Sequence, residues 1–226
     1  MSADGFPLDS VETWVFDLDN TLYPADSELF QQIDVKMGEF ISDFLGIEVA
    51  HAKKLQKRYF RSHGTTLTGL MTEHGLEPGA FLDYVHDIDL TVLDPSPTLD
   101  QALARLDARK VIYTNGPTDH AERVMDRLGV ARHFEGVFDI VEAGYRPKPK
   151  PEPLQAMLDH FAVDPTSAVM VEDIARNLEP AHEVGMTTVW VRSERRIQRG
   201  DKDGPHIHHV TEDLVAWLDG VAAPSS

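Results

Sequence analysis

The chain has 226 residues, of which 42% are hydrophobic and 26% charged, and this composition excludes disorder or low complexity as a description of the whole chain. Its 38 acidic and 21 basic residues leave a formal net charge of −17, which repels phosphate backbones and anionic lipid, so we expect no nucleic-acid or membrane partner. It has no cysteine, which excludes disulfides and thiol chemistry, and because it shows no secretory leader and no long apolar run, we expect a cytoplasmic protein.

Four short apolar segments rich in β-branched residues predict strands that are buried on both faces of a parallel sheet. These segments are 11–16, 110–113, 167–171 and 187–191, and each of the first three ends in a polar turn. Helical patterns lie between them, at about 98–108, 118–128, 153–161 and 177–184. Strand alternating with helix predicts an α/β fold with a doubly wound parallel sheet.

The interval between the first strand and about residue 97 shows no convincing strand, although a strand–helix–strand unit needs only about 30 residues. Helical spacing is found instead at 26–45, 49–63 and 78–88. In the first of these, apolar side chains such as Ile33, Met37 and Ile41 recur at offsets of three and four residues, which is typical of a helix that packs in a core. We therefore predict a core domain formed by 1–22 and 96–226, with a helical subdomain, 23–95, inserted into it.

Acidic side chains follow the first and third predicted strands. Asp17 and Asp19 lie two residues apart, so that in an extended chain both carboxylates face the same side, and Asp173 follows another strand. Carboxylates at the carboxyl edge of an open α/β sheet suit Mg²⁺, which is commonly held by a few carboxylates, water and a phosphate oxygen. The alternative for an isolated D-x-D turn is a capping or Asx-turn arrangement.

Phosphate-binding groups follow in the same chain order. Thr114 and Asn115 place a hydroxyl and an amide at the end of the second strand, and Lys148 is a cation on a stiff proline-rich segment. Each alone is compatible with an ordinary turn or an exposed loop lysine. Together with the acids they favour a site for a phosphoryl group.

This ordered set resembles the motifs of the haloacid dehalogenase superfamily, specifically those of its phosphatases. The residues that carry the resemblance are Asp17, Asp19, Thr21, Thr114, Lys148, Glu172 and Asp173. The resemblance implies a Rossmann-like core, a helical cap inserted after the first motif, and Mg²⁺ as the cofactor. It also implies a phosphatase rather than a dehalogenase, because dehalogenases of this superfamily lack an acid at the position of Asp19.

The resemblance further implies a role for each residue. Asp17 is expected to be the nucleophile that forms an aspartyl-phosphate, and Asp19 to protonate the leaving alcohol and then activate water. Asp17 and Asp173 are expected to ligate Mg²⁺ together with the backbone carbonyl of Asp19. Thr114 and Lys148, with Asn115 beside them, are expected to hold the transferred phosphoryl group.

Three further positions are less well defined by the family pattern. Glu172 and Asn177 depart from the residues that the family often has there, so we predict that they support the metal ligands from behind. Lys150 competes with Lys148 for the phosphate-binding role. We favour Lys148 because K-P-x-P-E, followed by a helix, matches the family spacing from that position.

The substrate class rests on a finer resemblance. Residues 16–24, FDLDNTLYP, are similar to pyrimidine 5′-nucleotidase-like members of the superfamily, as are 114–130 and 171–191. This implies a small phosphorylated metabolite as the partner, a nucleoside 5′-monophosphate above all, and a monomer or homodimer. The alternatives are another small-molecule phosphatase, a phosphosugar mutase, a phosphoglycolate phosphatase, or a non-catalytic nucleotide-binding module.

Two other stretches near the carboxyl terminus have the residue types of a binding site. The histidine-rich stretch 206–209 has the residue types of a zinc site, although we favour a structural role beside a final strand. The basic stretch 192–202 is typical of a solvated loop, with the alternative that it attracts an anion.

Overall fold

In the computed structural model, which describes residues 10–193 and 204–222, six parallel strands form a single sheet. The strands are β1 Thr13–Phe16, β2 Arg109–Tyr113, β3 Val137–Phe138, β4 Ala168–Glu172, β5 Thr187–Val191 and β6 His209–Thr211. Their order across the sheet is β3-β2-β1-β4-β5-β6, and every neighbouring pair is parallel. The predicted α/β fold with a doubly wound parallel sheet is therefore confirmed.

In the described residues, five helices lie between β1 and β2, and single helices follow β2, β3, β4 and β6. They are α1 Leu29–Leu45, α2 Val49–His63, α3 Thr66–His74, α4 Pro78–His86, α5 Pro97–Ala104, α6 Thr118–Leu128, α7 Pro151–Phe161, α8 Glu179–Glu183 and α9 Leu214–Val221. Across residues 10–193 and 204–222, no helix combines the length and the apolar character that crossing a membrane would require.

The sheet separates two apolar clusters because successive side chains of a strand point to opposite faces. On one face Trp14 and Phe16 pack with residues of α5, α6 and α9, including an edge contact between Trp14 and Trp217. On the other face Val15 and Met170 pack with residues of α7 and α8. Helices thus cover both faces, which explains why the strands read as nearly continuous apolar runs.

The four helices α1 to α4 bury a third apolar cluster of their own. Each helix contributes to this cluster, for example through Ile33, Leu55, Leu70 and Phe81 in chain order. Ile140 joins them from the chain that follows β3. Helices therefore occupy the interval for which the sequence predicted them. The helix α3 was missed, and the domain boundaries at 22/23 and 95/96 stay predictions.

This helical insert lies at the carboxyl edge of the sheet. The turn after α2 is close to the loop before α7, since a Cβ added at Gly64 would lie 3.3 Å from Pro147 Cγ. The guanidinium of Arg176, just after β4, stacks 4.9 Å from the ring of Phe60 in α2. The insert therefore faces the strand ends that carry the predicted site.

The histidine-rich stretch has structural contacts. The ring Nδ1 of His208 accepts a hydrogen bond from the backbone N–H of Thr188, and His209 begins β6. In the described parts of the chain, the grouping of potential metal ligands is a carboxylate cluster elsewhere, so no zinc site is found here. Most of the basic stretch 192–202 lies outside the described residues.

Candidate active site

Four polar side chains meet where strands β1, β2 and β4 end. Asp17 follows β1, Thr114 follows β2, and Glu172 and Asp173 close β4. Because β1 pairs in register with β2 on one side and β4 on the other, these positions fall side by side at one edge of the sheet. All four residues are buried. The sheet topology thus brings together the residues that were predicted from the strand ends.

Lys148 reaches this edge from the loop before α7. Its ammonium donates to Asp17 Oδ1 and Glu172 Oε2, at 2.7 Å each, and to the backbone carbonyl of Tyr113 at 2.8 Å. Burial lowers the pKa of the lysine, but the charges of Asp17 and Glu172 outweigh it and raise the pKa above its ordinary range. Lys148 is thus held as a cation, and its ammonium has three hydrogen-bond acceptors.

Asp17 is held at both carboxylate oxygens. Lys148 binds Oδ1, and the Thr21 hydroxyl donates to Oδ2 at 2.9 Å. Burial and the neighbouring charge of Glu172 raise the pKa of Asp17, and the attraction of Lys148 offsets only part of this effect. Two hydrogen bonds thus fix the direction of the carboxylate, and the positive charge beside it does not fully offset its burial and its repulsion by Glu172.

A cluster of three carboxylates has the ligand atoms that a divalent cation needs. Asp17, Glu172 and Asp173 each offer one oxygen, and the three oxygens lie within 4.8 Å of one another. The Lys148 ammonium pairs with two of these acids, Asp17 and Glu172, and all-oxygen ligands of this kind suit Mg²⁺. Asp17 and Asp173 were predicted as metal ligands, whereas Glu172, predicted to stand behind them, lies in the cluster itself.

The carboxylate of Asp19 lies outside that cluster and has its own partners. The Tyr23 hydroxyl donates to Asp19 Oδ1 at 2.6 Å, and Nε2 of His120 contacts the same oxygen at 2.9 Å. Burial raises the pKa of Asp19, but the charge and hydrogen bond of His120 and the hydrogen bond of Tyr23 outweigh it and hold the pKa well below its usual range. The Asp19 side chain is therefore an oriented carboxylate beside the cluster.

The predicted phosphate-binding residues occupy two different places. Thr114 is buried, and its hydroxyl oxygen accepts the N–H of Gly116 at 3.0 Å, so its O–H can donate elsewhere. Asn115 Oδ1 accepts the backbone N–H of Lys148 at 2.9 Å. Asn115 therefore ties the end of β2 to the segment that carries Lys148. Lys150, the competing lysine, is exposed at the start of α7.

Asn177 is buried in a short 3₁₀ turn, Ala175–Leu178, that follows Asp173. Its backbone N–H donates to the carbonyl of Ile174 at 2.9 Å. The side chain belongs to the turn that shapes the chain after β4, and its predicted supporting role stays a prediction.

The sequence did not reveal the partners of Asp19. Tyr23 is four residues away from Asp19, but His120 is 101 residues away. The available signal was position: His120 lies in the first turn of a predicted helix that follows a strand, where side chains reach the carboxyl edge of the sheet.

Comparison with known proteins adds a family and several relatives. A family model described as a haloacid dehalogenase-like hydrolase matches residues 11–185. Phosphate metabolism protein 8 of Saccharomyces cerevisiae is 26% identical over 195 residues, which cover 77% of this chain and 60% of that protein. N-acetylmuramic acid 6-phosphate phosphatase of Pseudomonas aeruginosa is 30% identical over 115 residues, which cover 50% of each chain. The chain thus spans half to three fifths of the length of these curated relatives.

Solved structures of similar fold include both chemistries of this superfamily. A haloacid dehalogenase phosphatase from Thermococcus onnurineus has a TM-score of 0.58 and 20% identity, with 88% of this chain and 93% of that chain covered. The L-2-haloacid dehalogenase from Xanthobacter autotrophicus with chloropropionic acid bound has a TM-score of 0.55 and 17% identity, with 95% and 100% covered. At such identities the likeness shows the fold, and the chemistry must be argued from the site.

Proposed function

We propose that this chain, which belongs to the haloacid dehalogenase-like hydrolase family, is a Mg²⁺-dependent phosphomonoester hydrolase that acts through an aspartyl-phosphate, with nucleoside 5′-monophosphates as its substrates. The observation that carries the proposal is the placement of Asp17 within the carboxylate cluster and in contact with Lys148, with Asp19 oriented beside it. A nucleophile, a cation for the phosphoryl group and an acid for the leaving group are thereby available at one edge of the sheet.

In the first step Asp17 attacks phosphorus. One Asp17 oxygen forms the new bond to phosphorus, and the bond from phosphorus to the ester oxygen breaks. The alcohol leaves with the proton of the Asp19 carboxyl, which takes up that proton when the charge of the bound phosphate raises its pKa. In the second step water attacks the phosphorus of the aspartyl-phosphate, Asp19 takes a proton from that water, and Asp17 is regenerated as phosphate departs. Carboxylate nucleophiles of this kind are an established form of covalent catalysis.

Charge neutralisation supports both steps. The Thr114 hydroxyl would contact the phosphoryl oxygens, and Lys148 would do so by exchanging one of its three present acceptors for a phosphoryl oxygen. Asn115 would keep the lysine segment in place through its bond to the Lys148 N–H. Asp17, Asp173 and the Asp19 carbonyl, with Glu172 alongside, would hold Mg²⁺, which supplies positive charge to the phosphoryl oxygens when bound. The proximity of three carboxylate oxygens, all within 4.8 Å of one another, supports this assignment.

Asp19 favours phosphoester cleavage over dehalogenation. An alkoxide leaving group needs a proton at the transition state, whereas a halide does not. Asp19 is only partly exposed, at 15% of its side chain, and is oriented by two hydrogen-bond partners. These partners lower the pKa of Asp19 in the free protein, so proton exchange with an ester oxygen depends on the charge of a bound phosphate, which raises that pKa.

The substrate class is supported by the motif at residues 16–24 and its resemblance to pyrimidine 5′-nucleotidase-like proteins. A second candidate, a sugar phosphate, is favoured by the match to a relative named for N-acetylmuramic acid 6-phosphate. The two classes share the phosphoryl site and differ in the group that would face the helical insert.

A phosphate-release panel tests the proposal. With Mg²⁺ present we expect faster turnover of CMP and UMP than of N-acetylmuramic acid 6-phosphate, hexose phosphates or phosphoglycolate, and suppression by EDTA. Asp17→Asn should abolish turnover, while Asp164→Asn, which changes an exposed acid in a distant turn, should retain it. Full turnover by Asp17→Asn would refute the nucleophile assignment. Release of halide from 2-chloropropionate would identify a dehalogenase, and conversion of hexose phosphates to isomers would identify a mutase. Either result would contradict the proposed reaction.

Metal binding can be measured without turnover. Mg²⁺ that binds the folded protein raises its melting temperature by mass action. We expect this rise in the unmodified protein and in Asp164→Asn, but not in Asp173→Asn, which lacks one carboxylate of the cluster. A rise in Asp173→Asn equal to that of the unmodified protein would refute the assignment of the metal to this cluster.

A further inference from the structure

We infer that His120 and Tyr23 are positioning residues, which hold one oxygen of Asp19 so that its other oxygen is directed at the leaving group. The inference rests on the proposed function, because Asp19 exchanges a proton only if an ester oxygen leaves. It assigns a role in proton transfer to two residues for which the family motifs in the sequence predicted no role.

The two contacts fall on a single atom. The Tyr23 hydroxyl lies 2.6 Å and His120 Nε2 lies 2.9 Å from Asp19 Oδ1. A carboxylate otherwise turns freely, since the torsion at its sp² carbon is broad. Two donors on one oxygen fix the plane of the group, and both donors are rigid because Tyr23 is 2% and His120 0% exposed.

The second oxygen of Asp19 faces the side of Thr114. A Cβ added at Gly116 would lie 3.7 Å from Asp19 Oδ2 and 3.5 Å from Thr114 Oγ1. Asp19 Oδ2 and Thr114 Oγ1 therefore border the same small space, which Gly116 leaves open because it has no side chain. This is the side on which a phosphoryl group bound by Thr114 would present its ester oxygen to Asp19 Oδ2.

The helix that carries His120 is itself anchored. The Asp139 carboxylate accepts the N–H and the hydroxyl of Thr118, at 2.8 and 2.9 Å, and so fixes the first turn of α6. The His86 ring, at the end of α4, lies 4.7 Å from the His120 ring, and the His86 carbonyl accepts a hydrogen bond from Arg123 of α6. The helical insert thus backs the imidazole that holds the acid.

Two esters of matched shape provide the test. Phenyl phosphate and 4-nitrophenyl phosphate differ in how much their leaving groups need a proton, and only the first depends strongly on a general acid. For Tyr23→Phe and His120→Leu we expect kcat on phenyl phosphate to fall by about ten- to a hundredfold, which is part of the full contribution of a general acid. On 4-nitrophenyl phosphate we expect a much smaller loss, with KM little changed on either ester.

Matched controls separate positioning from folding. Tyr59→Phe removes a buried hydroxyl that contacts His74, and His133→Leu removes a histidine paired with Asp100, both away from Asp19. These variants should keep the ratio of the two activities. His120→Gln retains an N–H donor and should recover most of the activity on phenyl phosphate, and thermal melts identify any variant that does not fold.

The outcomes are distinguishable. An equal loss on both esters in a folded Tyr23→Phe, no loss in either, or a His120→Gln as impaired on phenyl phosphate as His120→Leu would overturn the inference while the unmodified enzyme remains a phosphatase. If the unmodified protein releases phosphate from neither ester with Mg²⁺, the proposed function fails and the inference fails with it.

Discussion

Replacing Lys148 by methionine removes the cation that two buried carboxylates share. Asp17 and Glu172 each accept a hydrogen bond of 2.7 Å from its ammonium, and they are 6% and 1% exposed. Methionine occupies a similar volume but donates no hydrogen bond. The variant therefore leaves two like charges buried at close range without compensation.

Breaking a buried ion pair by removing one partner costs about 3–5 kcal/mol. In a chain of this length each kcal/mol lowers the melting temperature by roughly 2–4 °C, so we expect a decrease of roughly 6–20 °C. The double variant Lys148→Met with Glu172→Gln removes one of the two stranded charges. It should therefore recover a substantial part of the loss, which makes the two substitutions strongly non-additive.

Urea denaturation and thermal melts in EDTA at pH 8 measure these effects without a bound metal. Lys110→Met is the matched control, because Lys110 is also buried but donates to backbone carbonyls, including that of Ala108 at 2.9 Å. Its replacement should cost only the hydrogen bonds, at about 0.5–1.5 kcal/mol each. A Lys148→Met protein as stable as the unmodified one, or a double variant less stable than Lys148→Met, would refute the electrostatic reasoning.

Two further predictions concern the helical insert. An alanine at Gly69 would overlap the Cβ and Cγ of Tyr59 and should destabilise the protein by about 1–3 kcal/mol, whereas Gly79→Ala meets open space in α4 and should stabilise it by about 0.5–1 kcal/mol; urea midpoints that shift in the same direction would contradict this. Burial, and after it the charge of His120, lowers the pKa of His86 from 6.5 to about 4, so the fold favours neutral His86 and loses stability as the pH falls from 6.5 towards 4. Melting temperatures from pH 7 to 4.5 should therefore fall less steeply for His86→Gln than for the unmodified protein, and parallel curves would exclude this contribution.

Helix and strand positions were predictable wherever the pattern of apolar residues was long and clearly ended. The helices Val49–His63 and Thr118–Leu128 and the strand Thr187–Val191 have the bounds that the sequence predicted. Both helices end at glycines with positive φ, Gly64 at 85° and Gly129 at 78°, a conformation that glycine adopts readily.

The elements that were missed depend on contacts that a local pattern does not contain. The strand Val137–Phe138 has only two residues, and its partner β2 defines it. The helix Thr66–His74 contains Gly69, which weakens its helical signal. The ring of Tyr59 packs directly on that glycine, so tertiary packing selects a residue that helix propensity disfavours.

The same distinction holds within the site. The positions of Asp17, Thr114 and Asp173 follow from strand ends, which parallel sheets bring to one edge, and the sequence alone predicted their convergence. The orientation of each carboxylate does not follow from strand ends. Thr21 and Tyr23, each four residues away, supply one contact to Asp17 and Asp19 respectively. The other contacts come from Lys148 and His120, at separations of 131 and 101 residues.

Under the proposed function, the balance of charge in the site would link metal binding to substrate binding. Asp17 and Glu172 share the ammonium of Lys148, Asp173 lies close to both, and a phosphate monoester would add further negative charge to this buried space. Two like charges 4 Å apart repel by about 4 kcal/mol at an effective dielectric constant of 20, so the side chains alone disfavour the substrate under the proposed function. Burial, and after it the charge of Glu172, raises the pKa of Asp17, and protonation of Asp17 would relieve both effects. A protonated Asp17 is a poor nucleophile, however, whereas a divalent cation offsets the negative charge and keeps the carboxylate ionised. A chain with a net charge of −17 can thus accept a small anion at one place, provided that metal and phosphate bind cooperatively there.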